Sequence, residues 1–165
     1  STTSVDNCRF ADGTGVTATF NNPTALAVGT TGEIYVADVG DNGNGVIRKI
    51  VPGSGNVNGV VTTVAGSTSE GGHVDGLGAE ARFGRINALA FVSGELLIGD
   101  AGGSIRGYSP ATGVVRSLIG IKGEVGVRLG ASNVAAGAVS GILATGTDLF
   151  FSTPNAVVRF SPAGL

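Results

Sequence analysis

The chain has 165 residues, of which 42% are hydrophobic and 13% are charged, and its formal net charge is −2. Its ten basic residues are scattered, which disfavours a nucleic-acid-binding surface because such a surface needs concentrated positive charge. No apolar run approaches the roughly 18 residues of a membrane span. Thirty glycines among short apolar runs indicate short strands joined by tight turns, so we expect an all-β domain with a packed core.

The first element in chain order is a linker over residues 1–23 that leads into the first apolar strand. It holds Cys8, the single cysteine of the chain. An intrachain disulfide is therefore excluded, and this thiol is either free or bonded to another chain. The Ser-, Thr- and Gly-rich composition favours an extracellular or cell-surface location, where the clusters STTS (1–4) and STS (67–69) are candidate sites for O-linked glycans.

A repeat begins inside this linker. The segment DGTGVTATFNNPTALAV, which starts at Asp12, returns as DGLGAEARFGRINALAF, which starts at Asp75, and 75 − 12 = 63 residues separate the two. Phe20 and Phe83 are separated by the same interval. We expect each Asp-Gly-x-Gly segment to lie where the chain crosses between repeat units, since glycine tolerates the positive φ of a sharp turn. The two phenylalanines are expected in the apolar seam between units.

The first unit contains four short apolar stretches. They alternate in polarity or are rich in β-branched residues, which favours pleated strands. Gly- and Asn-rich segments between them favour tight turns. The predicted strands cover residues 24–28, 33–38, 46–51 and 59–66.

The second unit has the same order of elements, and the third is degenerate. The predicted strands of the second unit cover residues 87–91, 95–100, 104–108 and 113–120. Segment 132–139 is predicted to be a loop. The third unit has lost the Asp-Gly-x-Gly segment and has three predicted strands, at 140–145, 148–153 and 156–161.

Consecutive units of four antiparallel strands are typical of β-propeller blades. We therefore predict an all-β fold in which about three blades of four antiparallel strands form a partial ring. The expected division is a linker (1–23), blade 1 (24–66), a linker (67–86), blade 2 (87–120), a linker (121–139) and blade 3 (140–165), which lacks its outer strand.

The segment FNNPTALAVGTTGEIYVADVGDNGNGVIRKI, which starts at Phe20, resembles the NHL repeat. The resemblance includes the Phe-x-x-Pro start with Pro23, the Tyr-Val-Ala-Asp strand end and the Ile-Arg pair. The second unit lacks the proline, and the third keeps little beyond Val158-Arg159. Rings of this family usually contain about six blades. Three explanations stay open: further blades in a longer chain, two copies that close one ring, or a repeating assembly in which neighbours fill the open faces.

The recurring residues are assigned structural roles. Asp38 and Asp100 end equivalent strands, with Arg48 and Arg106 on the next strand of each unit, which predicts charge-assisted hydrogen bonds within each pair. Arg159 is taken as the counterpart of these arginines in the third unit. The full set of predicted structural positions is Asp12, Phe20, Pro23, Asp38, Arg48, Asp75, Phe83, Asp100, Arg106 and Arg159.

Candidate chemistry is sparse. The acidic loop with Asp38 and Asp41 is weakly similar to a calcium loop, but it lacks the alternating ligands and the distant bidentate Glu of such a site. The single histidine, His73, has no second His or Cys near it in sequence and is expected to be an exposed linker residue. We therefore expect no catalytic residue, no metal and no cofactor.

The sequence favours a non-enzymatic NHL-like module for protein–protein interaction or structural assembly. Its expected partners are other protein chains, either further copies or the rest of a larger polypeptide. The alternative is part of an enzyme that resembles amidating lyases or lactonases, with a metal in the central channel and active residues supplied by other blades. A third reading, an RNA-binding NHL module, requires a basic face and is disfavoured by the scattered basic residues.

Overall fold

The computed structural model describes residues 10–54, 58–119, 127–129, 132–134, 137–145 and 148–160. The predicted all-β fold is confirmed. Two five-stranded antiparallel sheets and one three-stranded antiparallel sheet follow one another along the chain, and they are not closed into a ring. We call these sheets blades 1, 2 and 3.

Blade 1 has the spatial order β1-β5-β4-β3-β2. The four long strands lie within one or two residues of the predicted ones, and the linker adds a two-residue outer strand. The strands are β1 (Gly13–Thr14), β2 (Pro23–Val28), β3 (Ile34–Val39), β4 (Gly45–Val51) and β5 (Val60–Gly66).

Blade 2 repeats this topology, with the order β6-β10-β9-β8-β7. Its outer strand again comes from the Asp-Gly-x-Gly segment. The strands are β6 (Gly76–Leu77), β7 (Ile86–Val92), β8 (Glu95–Asp100), β9 (Ile105–Tyr108) and β10 (Val114–Ile119).

A small hairpin, β11 (Val127–Leu129) with β12 (Ser132–Val134), precedes blade 3. The prediction of a loop over 132–139 was therefore wrong for its first three residues, because they pair with a strand that the sequence pattern did not reveal. Blade 3 contains three described strands in the order β13-β14-β15. These are β13 (Gly141–Thr145), β14 (Asp148–Thr153) and β15 (Ala156–Phe160).

The Asp-Gly-x-Gly segments turn the chain as predicted. In each, a single turn of 3-10 helix follows the short outer strand, at Gly15–Thr17 and at Gly78–Glu80. Gly15 has φ 58° and Gly78 has φ 31°, in the left-handed region that favours glycine.

The blades pack face to face. We call the face of a blade towards the preceding repeat its front and the opposite face its back. The back of blade 1 and the front of blade 2 form one core, in which Tyr35 stacks on Phe91 with ring centroids 5.6 Å apart. Phe83 is fully buried in this core, as expected of a residue in the seam. The apolar contact area of this interface provides the main force that holds the two blades together.

The second core lies between the back of blade 2 and the front of blade 3. It contains Leu97 and Ile105 from blade 2, and Leu149 and Phe151 from blade 3. The innermost strands β2, β7 and β13 are neighbours in space, and the blades therefore radiate from them. This leaves two sheet faces without a neighbouring blade in the described part of the chain, the front of blade 1 and the back of blade 3.

Candidate interaction surface

A buried arginine closes blade 1 against its linker. The side chain of Arg48 is fully buried, and its guanidinium donates to Asp38 at 3.2 Å and to Asp12 at 3.1 Å. It also donates to two backbone carbonyls of the linker and lies over the ring of Phe20, 4.9 Å from the centroid. The expected hydrogen bond between Asp38 and Arg48 is present, and a linker carboxylate joins it.

The corresponding arginine of blade 2 keeps the linker carboxylate but not the sheet carboxylate. Arg106 donates to Asp75 at 2.6 Å and lies over Phe83, 4.6 Å from the ring centroid. The predicted pair of Arg106 with Asp100 was wrong. Asp100 accepts the hydroxyl of Ser104 at 2.6 Å and two backbone N–H groups of the tight turn after β8. This turn is shorter than its counterpart in blade 1, and its donors bind the carboxylate of Asp100 in place of Arg106.

The linker aspartates also bind beside a bulge in strands β5 and β10. The register of β4 with β5 and of β9 with β10 shifts by one residue, which leaves a bulge. Asp12 accepts the backbone N–H of Thr63 at 2.9 Å beside the first bulge, and Asp75 accepts that of Ser117 at 2.8 Å beside the second. The two carboxylates therefore join the linker, the buried arginine and β5 or β10 at equivalent places in the two repeats.

These contacts set the acidity of both carboxyl groups. Burial raises the pKa of Asp12, but the hydrogen bonds from Thr63 and the charge and hydrogen bond of Arg48 lower it. Together these lowering effects outweigh burial, so the pKa lies below its usual value. The same opposing contributions, with Ser117 and Arg106 as donors, lower the pKa of Asp75. Both groups are held in the charged form by the contacts that close the repeat.

Arg159 does not occupy the equivalent position in blade 3. Cross-strand partners share a face, and the registers place Val158 on the front of the blade, where Arg48 lies in blade 1. Arg159 lies on the back, is largely exposed and forms an ion pair with Asp148 at 2.7 Å. The assignment of Arg159 as a counterpart of Arg48 was therefore wrong by one residue, and a one-residue shift moves a side chain to the other face.

The candidate metal ligands stay apart. Asp41 lies in an exposed turn after β3, whereas Asp38 is buried against Arg48. Among the residues that the structure describes, no three His, Cys, Asp or Glu side chains come close enough together to hold a metal ion. Cys8 lies outside the described residues.

His73 is less exposed than the sequence suggested. Its Nε2 lies 3.1 Å from the hydroxyl of Ser117, and its Nδ1 lies 3.4 Å from that of Ser104 and 3.7 Å from Asp100. The hydroxyl of Ser117 donates to Asp75, so its proton is already committed to a carboxylate. The histidine thus contacts blade 2 with both ring nitrogens and fastens the linker to the sheet, a role that nothing in the spacing of these residues signals.

The front of blade 1 carries an open apolar groove of about 570 Å³. Phe20, Pro23 and Leu26 line it together with Val36 and Ile50. Leu26 is 65% exposed, whereas Leu89, its counterpart 63 residues later on the front of blade 2, is 8% exposed. The groove therefore lies on the face that corresponds to the front of blade 2. In blade 2 this face is covered by the back of blade 1, whereas in blade 1 no described blade covers it.

The segment that lines most of this groove also resembles a known family. Residues 20–49 match the NHL repeat. This NHL segment runs from Phe20 through β2 and β3 to Lys49 in β4, and it includes Asp38 and Arg48 of the buried cluster. A comparison with curated proteins finds no match. Within the described ranges, no helix has the length and apolar character needed to cross a membrane.

Proposed function

We propose that this chain is a non-enzymatic protein-interaction module that works outside the cell or at its surface, and that the front of blade 1 is its binding surface. The proposal rests on one observation above all, the 65% exposure of Leu26 at a position where the next repeat buries its leucine. Contiguous apolar surface of this kind marks a protein-binding site. The NHL match and the open sheets support a propeller-like module as the scaffold of that site.

The chemistry of the groove agrees with a protein partner. Its lining is almost entirely apolar, and Arg48, which shares the front of the sheet with Leu26 and Val36, is buried and paired with Asp38. A groove with no charged side chain in its lining offers little to an ionic small molecule, but it suits the side chains of another protein surface. Leu26 and Val28 stand out from the sheet and would be central to such a contact.

Sedimentation and hydroxyl-radical footprinting of the protein from its native source test this proposal. We expect the protein to sediment as a complex in which Leu26 and Val28 are labelled several-fold less than in the dilute, isolated chain. The substitution Leu26→Glu should abolish the complex, because it places a charge in the apolar contact. Val16→Glu is the matched control, since Val16 is fully exposed away from the groove. A monodisperse monomer with full labelling at Leu26 would overturn the proposal.

A further inference from the structure

The two interfaces inside the chain show what kind of surface covers the front of a blade. The front of blade 2 is covered by the back of blade 1, where Tyr35 stacks on Phe91 and Ile47 is fully buried. The front of blade 3 is covered in the same way by the back of blade 2. In this molecule a blade front is thus packed against a blade back each time it is covered.

The front of blade 1 repeats the front of blade 2. Cross-strand register aligns the residues of the two faces, since directly opposite residues share a face. One row on each front contains an aliphatic pair followed by a buried arginine: Leu26, Val36 and Arg48 in blade 1; Leu89, Ile98 and Arg106 in blade 2. The surface that fits the second front therefore has the chemistry to fit the first.

The back of blade 3 repeats the back of blade 1. One row runs from small to small to β-branched: Ala25, Ala37 and Ile47 in blade 1; Gly141, Ser152 and Val157 in blade 3. The next row runs from aliphatic to aromatic to cationic: Ala27, Tyr35 and Lys49 in blade 1; Leu143, Phe150 and Arg159 in blade 3. The chain therefore carries a second surface of the type that covers a blade front.

No other sheet that the structure describes covers this second surface. Val157 is 75% exposed, whereas Ile47, at the same place in blade 1, is fully buried in the interface with blade 2. Leu143, on the opposite edge strand β13 of the same blade, is also largely exposed. One molecule thus displays both halves of a contact that it already makes twice within itself.

We infer that the front of blade 1 binds the back of blade 3 of a second copy of this chain, in a head-to-tail contact that continues the internal stacking of blades. The inference rests on the proposed function, because it names the occupant of the same groove. Leu26 and Val28 of one copy face Leu143, Phe150 and Val157 of the next. Such a contact is heterologous, so it closes into a ring where the rotation permits and otherwise continues as an open chain.

Two charge substitutions separate the halves of the contact. Leu26→Glu disables the front of blade 1, and Val157→Glu disables the back of blade 3, while Val16→Glu is the exposed control. Each residue is exposed, so the variants should unfold at the same urea concentration as the unaltered chain. The masses of the purified 165-residue chain and of each variant are measured by sedimentation equilibrium.

We expect the unaltered chain and the Val16→Glu control to associate, and each of the other two variants to sediment as a monomer. An equimolar mixture of the two monomeric variants should double in mass and go no further, because it restores one front-to-back contact per pair. Loss of association with Leu26→Glu but not with Val157→Glu would overturn the head-to-tail contact and leave the groove as the binding surface. Association that survives Leu26→Glu would overturn both proposals, and a monomeric unaltered chain would overturn the head-to-tail contact alone.

Discussion

The two buried arginines occupy equivalent positions, yet the carboxylates around them differ. Arg48 lies between Asp38 of its own sheet and Asp12 of the linker, whereas Arg106 has Asp75 of the linker alone. The linker aspartate is common to both sites, and the sheet aspartate is replaceable. The part that blades 1 and 2 share is thus the junction of linker and sheet, which closes each of these two blades against its linker.

Blade 3 extends this comparison. It lacks the Asp-Gly-x-Gly segment, and it has Thr153 in place of the sheet aspartate and Val158 in place of the arginine. The linker aspartate and the arginine are thus absent together, as expected if the two act as a pair. A buried arginine without any carboxylate would be strongly destabilising, so the arginine is not expected where the linker aspartate is missing.

The largest effect is expected from removal of the arginine in blade 1. Arg48→Met keeps much of the side-chain volume but leaves the fully buried carboxylate of Asp38 without its cation, and we expect a loss of about 3–5 kcal/mol in the free energy of unfolding. Arg106→Met should cost less, because Asp75 has a side chain that is 43% exposed and can be hydrated. Urea denaturation of both variants measures the difference.

Equal losses for the two variants would contradict this comparison. They would mean that the linker contacts, which both arginines make, carry the energy, and that Asp38 adds nothing. The double variant with Asp38→Asn and Arg48→Met separates these contributions, since it removes the buried anion together with its partner. We expect it to recover part of the stability lost in Arg48→Met.

The strands of four or more residues could be predicted from the sequence, but the contacts of the charged residues could not. β8 coincides with the predicted range 95–100, because a short apolar run bounded by turn residues indicates a buried strand, and all of its residues except Glu95 are buried. The two-residue strand β6 has no such pattern and exists only because Asp75 attaches the linker to β10. Whether Arg106 binds Asp75 or Asp100 depends on the tight turn after β8, which sequence repetition alone does not reveal.

Two glycines at the crossing from blade 1 to blade 2 provide the next test. A Cβ on Gly45 would lie 2.5 Å from the carbonyl oxygen of Gly84, whereas a Cβ on Gly84 would meet no atom within 4 Å. We expect Gly45→Ala to destabilise the chain by about 1–3 kcal/mol through overpacking. Gly84→Ala should change stability by less than about 0.5 kcal/mol or stabilise slightly, because it restricts the unfolded chain.

Thermal unfolding of the two variants is the measurement, since they differ by one methyl group at neighbouring places in the fold. The backbone N–H of Gly45 donates to the carbonyl of Phe83 across the same crossing, so the shift needed to accept a Cβ would also lengthen this bond. A Gly45→Ala variant as stable as Gly84→Ala would show that the blades do not approach as closely at this crossing as described.

The smallest effect, a dependence of stability on pH, compares the two linker aspartates. The pKa values of Asp12 and Asp75 are lowered in the folded protein. Their contribution to stability is therefore fully present above the unfolded pKa of about 3.9 and is lost as the pH falls through the lower folded value. We expect the urea midpoint to be level between about pH 7 and 5 and to fall below about pH 4.

Substitution should divide this acid dependence unequally between the repeats. Asp75→Asn leaves Arg106 without a carboxylate partner, whereas Asp12→Asn leaves Arg48 with Asp38. The urea midpoint of Asp75→Asn at pH 7 should therefore be the lower of the two, and each variant should lose less stability on acidification than the unaltered chain. Asp41→Asn, in an exposed turn, is the control and should keep the full dependence. If the Asp12 and Asp75 variants have the same midpoint at pH 7, the second carboxylate of Arg48 gives no protection, and the two arginine sites are energetically alike despite their different partners.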